Sequence, residues 1–381
     1  MDERLPGLDA LRVGLILLGI PFHAALPYAT DSLGLVHSDR SSTAVAILVV
    51  VLRTLRMPTF FLVAGFFAAR LLAKRPTDVW LRDRFLRLVV PLAVAAVTIV
   101  PLQRALVDAH RSESGIWIGA PQPTFHHLWF LVVLFGFCLA VVVARPLLDR
   151  AVDGLARLTA PRRGGRRDDL AFLAVVATAI VWEVAVKALF DAEISPEARL
   201  AGTTRLALVY LPWFVFGYAL ARVPGAMARF ATPTPATVAL AIAFLAVDIA
   251  VAPVPNLESF SALHLAAWTG ASWYVARAAV AATAHLSFAA LPLVRRLGDW
   301  TMPIYVLHHP WTLAFVLLLL PTRWPAEVQF LLVTILTAVA TAVSCLVIDR
   351  SAILATLVSG RRLPPLTPRR TAPAAVAAPA A

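Results

Sequence analysis

The chain is short of charge and of cysteine. Only 15% of its 381 residues are Asp, Glu, Lys or Arg, against about 25% in a soluble domain. The two cysteines, Cys138 and Cys345, both lie inside apolar runs, which speaks against a disulfide framework or a Cys-x-x-Cys metal site. No Ser/His/Asp grouping stands out, and His308-His309 alone is a poor metal signal, so no metal is expected. The opening MDERLPG lacks the basic stretch and small-residue cleavage site of a secretory signal; the first helix is expected to be retained. Paired Gly/Pro-broken spans of the kind that mark inverted-repeat transporters are not found in the two halves.

What the chain has instead is apolar length. It is 60% hydrophobic with a mean hydropathy of +0.79, so lipid surrounds most of it. A span needs about 20 apolar residues. Ten segments qualify, at 8–28, 44–69, 87–106, 127–144, 170–190, 205–221, 236–252, 263–286, 301–320 and 327–348. The expected fold class is therefore an all-α polytopic membrane protein of about ten transmembrane helices, with a membrane domain over 1–349. The remainder, 350–381, is rich in Pro, Ala and Arg and is expected to be a disordered cytoplasmic tail.

The net charge of +12 follows from topology. Arg70, Lys74, Arg75, Arg82, Arg84 and Arg87 fall between the second and third segments, and Arg145, Arg150, Arg157, Arg162, Arg163, Arg166 and Arg167 between the fourth and fifth. Arg222 with Arg229, Arg295 with Arg296, and the tail arginines lie on the same side. The opposite loops hold only Arg40, Arg111, Arg199 and Arg323. Positive-inside asymmetry then places both termini of this multi-pass membrane protein in the cytoplasm. No basic stripe is interleaved with aromatics, so nucleic acid is not expected as a partner.

Ionisable residues inside spans are where function is sought. In the first segment Arg12 and His23 are 11 residues apart, close to three helical turns, and share one face over about 16 Å. Asp9 precedes Arg12 by three and can pair with it. Ile16 and Gly19 fill the turns between, and Gly19 leaves room for a close neighbour. The plainer reading is an interfacial Asp9–Arg12 anchor and a hydrogen-bonded bundle histidine. Arg53 and Arg56 sit within the second span, where a buried arginine calls for an anionic partner; of the two, Arg56 is the site candidate. His126 and His127 begin the fourth span near the expected depth of His23. His308 lies near the middle of the ninth, with His309 pointing elsewhere. Trp117 and Trp129 are read as aromatic-belt residues. Glu183 and Lys187 form an i,i+4 pair, and Asp248 has no evident partner.

Several stretches together resemble the membrane acyltransferase 3 family, in its glucan-modifying branch. LDALRVGLILLGIPFH carries its Arg-x10-His, as Arg12 and His23. RMPTFFLVAGFF is similar to its Arg-Met-Pro-x-Phe-Phe-x-x-x-Gly-Phe, with Ala64 where Ser often precedes the glycine. RDRFLRLVVP contains an Arg-x-x-Arg, as Arg84 and Arg87, then Pro91. HHLWFLVVLF resembles its His-Leu-Trp-Phe-Leu, and WTMPIYVLHHP its Ile-Tyr-x-x-His.

The resemblance, over about residues 5–348, implies acyl transfer from cytoplasmic acyl-coenzyme A, as co-substrate, to a hydroxyl of a glycan, glycolipid or similar acceptor. It makes His23 the general base, since an unperturbed imidazole accepts a proton near neutral pH. Arg12 and Asp9 would line the approach. Arg82, Arg84 and Arg87 would hold the donor's phosphates, and Arg56, His127 and His308 would line the acceptor cavity. The rival reading is a secondary transporter or exporter of an anionic small molecule, using the same charges as a pathway. The identity of the acyl group, the oxyanion stabiliser and the oligomeric state stay open.

Overall fold

In hydrocarbon the backbone must satisfy its own hydrogen bonds, which leaves helices as the spanning element for a chain of long apolar runs. The computed structural model describes residues 6–29, 36–111, 126–158, 165–193, 199–252, 262–284, 286 and 292–360. Among them every regular element is helical: α1 (Pro6–Leu17), α2 (Gly19–Ala25), α3 (Thr43–Leu72), α4 (Thr77–Val97), α5 (Ile99–Arg111), α6 (Trp129–Leu158), α7 (Gly165–Glu193), α8 (Arg199–Arg222), α9 (Ala226–Phe230), α10 (Pro235–Val251), α11 (Ala262–Ala284), α12 (Pro292–Leu319), α13 (Ala326–Asp349) and α14 (Ala352–Ser359).

Each of the ten expected segments coincides with a helix or a stacked pair of helices. Among the described residues 8 helical segments are long and apolar enough to cross a membrane; α1 with α2, and α4 with α5, each form one of them. The other two expected segments are α10, which is short at 17 residues, and α11. The latter has length to span but carries His264, Thr269, Ser272 and Arg277. It can do so because α1, α3, α7 and α10 pack around it, so protein, not lipid, covers its polar atoms.

The helices overrun the expected boundaries on the arginine-rich side. Arg82, Arg84 and Arg87 stand on α4, which begins at Thr77, and Arg145, Arg150 and Arg157 on α6, where loops were expected. Arginines at helix ends can lay their stems along the bundle and keep their heads at the interface, so charge does not terminate the helix.

The core is centred on α3, α8 and α11. Gly65 of α3 and Gly217 of α8 bring these two helices together: a Cβ on Gly65 would overlap the Phe214 carbonyl, and one on Gly217 the Leu62 carbonyl. Small residues permit such backbone contact between membrane helices. Trp213 stacks on Trp273 with centroids 5.0 Å apart. Trp129, half-buried, stacks on Tyr210 at 5.7 Å; Trp117 lies outside the described residues.

Two local features bear on the site. The first expected span is broken at Leu18 into α1 and α2, although Leu18 N–H still reaches the Gly14 carbonyl at 2.9 Å and Phe22 N–H the Leu18 carbonyl at 3.2 Å. The second corrects the reading of 350–381 as disordered throughout. Ser351 caps α14 by accepting from Leu354 N–H at 3.3 Å, as short hydroxyl residues do at helix starts. Gly360 ends it at φ 63°, with its Cα against the Leu86 carbonyl of α4. Residues 361–381 lie outside the described set.

Candidate active site

The site has two halves, one beside α1 and the other beside α2. At one end lies a cavity of about 320 Å³, lined by Arg12, Arg84, Arg87, Trp80, Tyr305 and Ser359 among others. Apolar groups such as Phe60, Phe130, Leu134 and Phe214 cover its deeper wall. Arg12 pairs with Asp9 at 3.4 Å, as their spacing predicts, and its guanidinium lies 5.8 Å from the Phe67 ring. Arg84 sits 5.8 Å from the Trp80 ring. Arg12 Nε, Arg84 Nε and Trp80 Nε1 are buried without a hydrogen-bond partner. Unused donors of this kind, two of them cationic, fit a polyanionic ligand with an aromatic-lined tail channel. Arg82 is on α4 and is not among the residues lining this cavity.

Beyond Tyr305 the cavity gives way to imidazoles. The His23 ring centroid is 5.2 Å from His308, 4.8 Å from His309 and 6.4 Å from His127. His127 and His309 stack at 4.4 Å with an interplanar angle of 7°. His309 therefore belongs to the cluster and does not point elsewhere: adjacent helical residues are about 100° apart, and His23 of α2 and His127 of the turn before α6 lie against both His308 and His309. No group of three or more potential ligands suited to a metal occurs among the described residues.

The hydrogen bonds assign tautomers. His308 Nδ1 donates to the Ile304 carbonyl at 2.9 Å, which leaves Nε2 as the acceptor; that atom is buried and unpartnered. Gln103 Nε2 donates to His309 Nδ1 at 2.5 Å. The Tyr305 hydroxyl donates to the His127 carbonyl, which ties α12 to the turn before α6. His23 Nδ1 is buried without a partner. His23 also lines a recess of about 30 Å³ with Leu26, Pro27, Val36, His309 and Thr312, on the side of the cluster away from the arginines.

Arg56, 7% exposed, stands between the halves. Its Nε donates to the Leu15 carbonyl at 3.4 Å and its Cζ lies 4.7 Å from the Phe22 ring centroid. Among the described residues no carboxylate pairs with it. Arg53, one turn earlier, is 3.7 Å from Asp248, which also lies 3.0 Å from His264 and accepts from Thr54 at 3.0 Å. Asp248 thus has its partners.

The spacing argument for Arg12 and His23 holds: Arg12 and Ile16 line the arginine-end cavity and His23 the opposite recess. Arg56, His127 and His308 gather with His23, and Arg84 and Arg87 with Arg12. Sequence reasoning missed Gln103, Tyr305 and the inward turn of His309. Gln103 was detectable as a lone amide inside the apolar run IVPLQRALV, and Tyr305 as the residue one turn before His308.

A polytopic helical bundle with a basic cavity on one side and buried imidazoles behind it is a membrane protein with a site inside the bilayer region. The family described as "Acyltransferase domain" matches residues 5–349, and the chain belongs to it. Relatives named "Glucans biosynthesis protein C" from Salmonella typhi and Salmonella typhimurium are 28% identical over 250 residues, covering 63% of this chain and 64% of theirs. The one from Salmonella schwarzengrund is 27% identical over the same share. The chain thus matches less than two thirds of these relatives' length. No solved structure matches it.

Proposed function

We propose that this protein is an integral-membrane O-acyltransferase that moves an acyl group from cytoplasmic acyl-coenzyme A to a hydroxyl of a glycan or glycolipid acceptor. The observation that carries this reading is the two-sided site. A basic cavity ends at Tyr305, and directly behind it His23 opens to a separate recess. Family membership supports acyl transfer, and the word "glucans" in the relatives' name supports a sugar hydroxyl as acceptor.

In this reading Arg12, Arg84 and Arg87 hold the coenzyme A phosphates at the cytoplasmic face, where each charge-assisted bond is worth about 1.5–3 kcal/mol. The cavity takes the pantetheine arm along Phe60, Phe130 and Phe214, which brings the thioester up to Tyr305. The acceptor hydroxyl enters from the outer side, past Thr312 and His309. His23 accepts its proton as it attacks the thioester carbon, and His127 and His308 orient it. The arginine side is then the cytoplasmic one, with both chain termini there, in a bacterial inner membrane.

The test is release of coenzyme A thiol by purified protein given acetyl-, succinyl- or butyryl-coenzyme A with a glucose oligosaccharide. Acceptor-dependent thiol release with ester formation is expected from at least one donor. Movement of an anion across proteoliposomes without thiol release would replace this reading with export.

A further inference from the structure

Attack on a thioester drives negative charge onto its carbonyl oxygen, and a site that lowers this barrier aims fixed donors at that oxygen. On the His23 side the imidazole is assigned to the proton, so the oxyanion needs a donor of its own. The structure offers a cation that nothing else explains. Arg56 is only 7% exposed and lacks a carboxylate partner among the described residues. Arg53, three residues earlier, is neutralised by Asp248, so the bundle supplies a counter-charge to one arginine of this helix and withholds it from the other.

Arg56 is also aimed. The Leu15 carbonyl takes its Nε from the last turn of α1, where carbonyls lack helical partners. The Phe22 ring lies beside its guanidinium. Both contacts leave the terminal nitrogens for another acceptor. Gly19 makes their placement possible: a Cβ there would stand 2.9 Å from Arg56 Nη2 and 3.4 Å from His308 Nε2. The guanidinium edge and the His308 acceptor nitrogen thus both lie against the Gly19 face of α2, one turn from His23.

We infer that Arg56 is the oxyanion donor of this site, and that Gly19 is the residue that admits it; this rests on the acyl transfer proposed above. The acceptor oxygen bonds to the thioester carbon while its proton passes to His23, and the carbonyl π electrons become an oxyanion held by Arg56 N–H groups. Collapse re-forms the carbonyl and breaks the carbon–sulfur bond. The thiolate leaves toward the arginine cavity and takes up the proton, which yields ester and free thiol.

The experiment compares wild type with Arg56→Met, Arg56→Lys and Gly19→Ala in the thiol-release assay, with kcat and KM resolved for donor and acceptor. Folding is checked by size exclusion and melting. Removal of an oxyanion donor is expected to cost Arg56→Met about 10²–10³-fold in kcat, with both KM values within about threefold of wild type. Arg56→Lys keeps one cation without the fork and recovers part of the loss. Gly19→Ala leaves the arginine intact but displaces it, and lowers kcat by about 10-fold or more. A loss confined to KM for either substrate would instead make Arg56 a ground-state anion binder and overturn the inference. So would Arg56→Met turning over within about threefold of wild type. If Arg56→Met does not fold, an unaltered kcat in both Arg56→Lys and Gly19→Ala overturns it equally. These outcomes leave His23 as base untouched, because His23→Ala remains inactive in them. A wild type that releases no thiol from any of the three donors overturns both.

Discussion

Two arginines on α3, one turn apart, Arg53 half-buried and Arg56 buried, live in opposite electrostatic worlds. Around Arg53, charge is closed: Asp248, His264 and Thr54 bind one another across α3, α10 and α11. Around Arg56, charge is open: a guanidinium, four imidazoles, and buried nitrogens of His23 and His308 without partners. A buried ion pair roughly offsets its own desolvation, so the first cluster fixes how helices pack and does little else. An unpartnered group inside a membrane costs stability and is kept where something is to be bound or moved. The same helix thus shows which polar residues hold the bundle and which form the site.

The sharpest way to break this contrast is at the open cluster. His23→Ala is expected to lower turnover about 10²–10⁴-fold, the usual span for removing a general base, while acyl-coenzyme A still protects the protein against melting; thiol release and thermal shift check the two halves of the statement. At the closed cluster the effect falls on stability. Asp248→Ala takes the shared carboxylate from Arg53, His264 and Thr54, and is expected to cost about 2–4 kcal/mol, visible in detergent melting, with turnover per folded molecule near that of wild type. A large loss of kcat in Asp248→Ala without loss of stability would erase the distinction. Third in size is the donor cavity. Arg84→Ala is expected to weaken acyl-coenzyme A binding about 10-fold or more with little change in kcat, measured as donor KM. Arg82→Ala, outside the cavity, should not. The smallest effect is expected at Gly360, whose φ of 63° and contact with the Leu86 carbonyl hold α14, and with it Ser359, at the cavity wall. Gly360→Ala adds roughly 1 kcal/mol of left-handed backbone strain and a Cβ that would overlap the Leu86 backbone, so α14 must shift from α4 and donor KM is expected to rise a few-fold.

Much of this arrangement is legible in the sequence for a physical reason: lipid imposes long apolar runs, and all ten segments read from them carry helices. The Arg12–His23 stripe is equally legible, because 11 residues is nearly three turns and survives the break at Leu18. What is not legible lies in tertiary contact. Asp248 looks orphaned because its partner, Arg53, is far away in the chain, a pairing that no helical periodicity encodes. Helix overrun on the arginine-rich side is hidden because charged residues mark the edge of hydrocarbon, not the end of a helix. His309 looks misdirected because α12 is considered alone, whereas His23 of α2 and His127 of the turn before α6 together meet both its histidines. The helix in 352–359 is obscured by the Pro/Ala-rich residues that follow it.

Everything proposed for this site turns on a division of labour, in which the arginines near Trp80 serve a donor and the buried histidine a reaction. The most direct measurement is melting of detergent-purified wild type, His23→Ala and Arg84→Ala/Arg87→Ala with and without acetyl-, succinyl- and butyryl-coenzyme A. A ligand at 100 times its Kd stabilises the folded state by about 2.7 kcal/mol. A donor is expected to raise the melting temperature of wild type and His23→Ala and to leave the double-arginine variant unmoved. Equal stabilisation of all three, or none of a well-folded wild type, would refute that division.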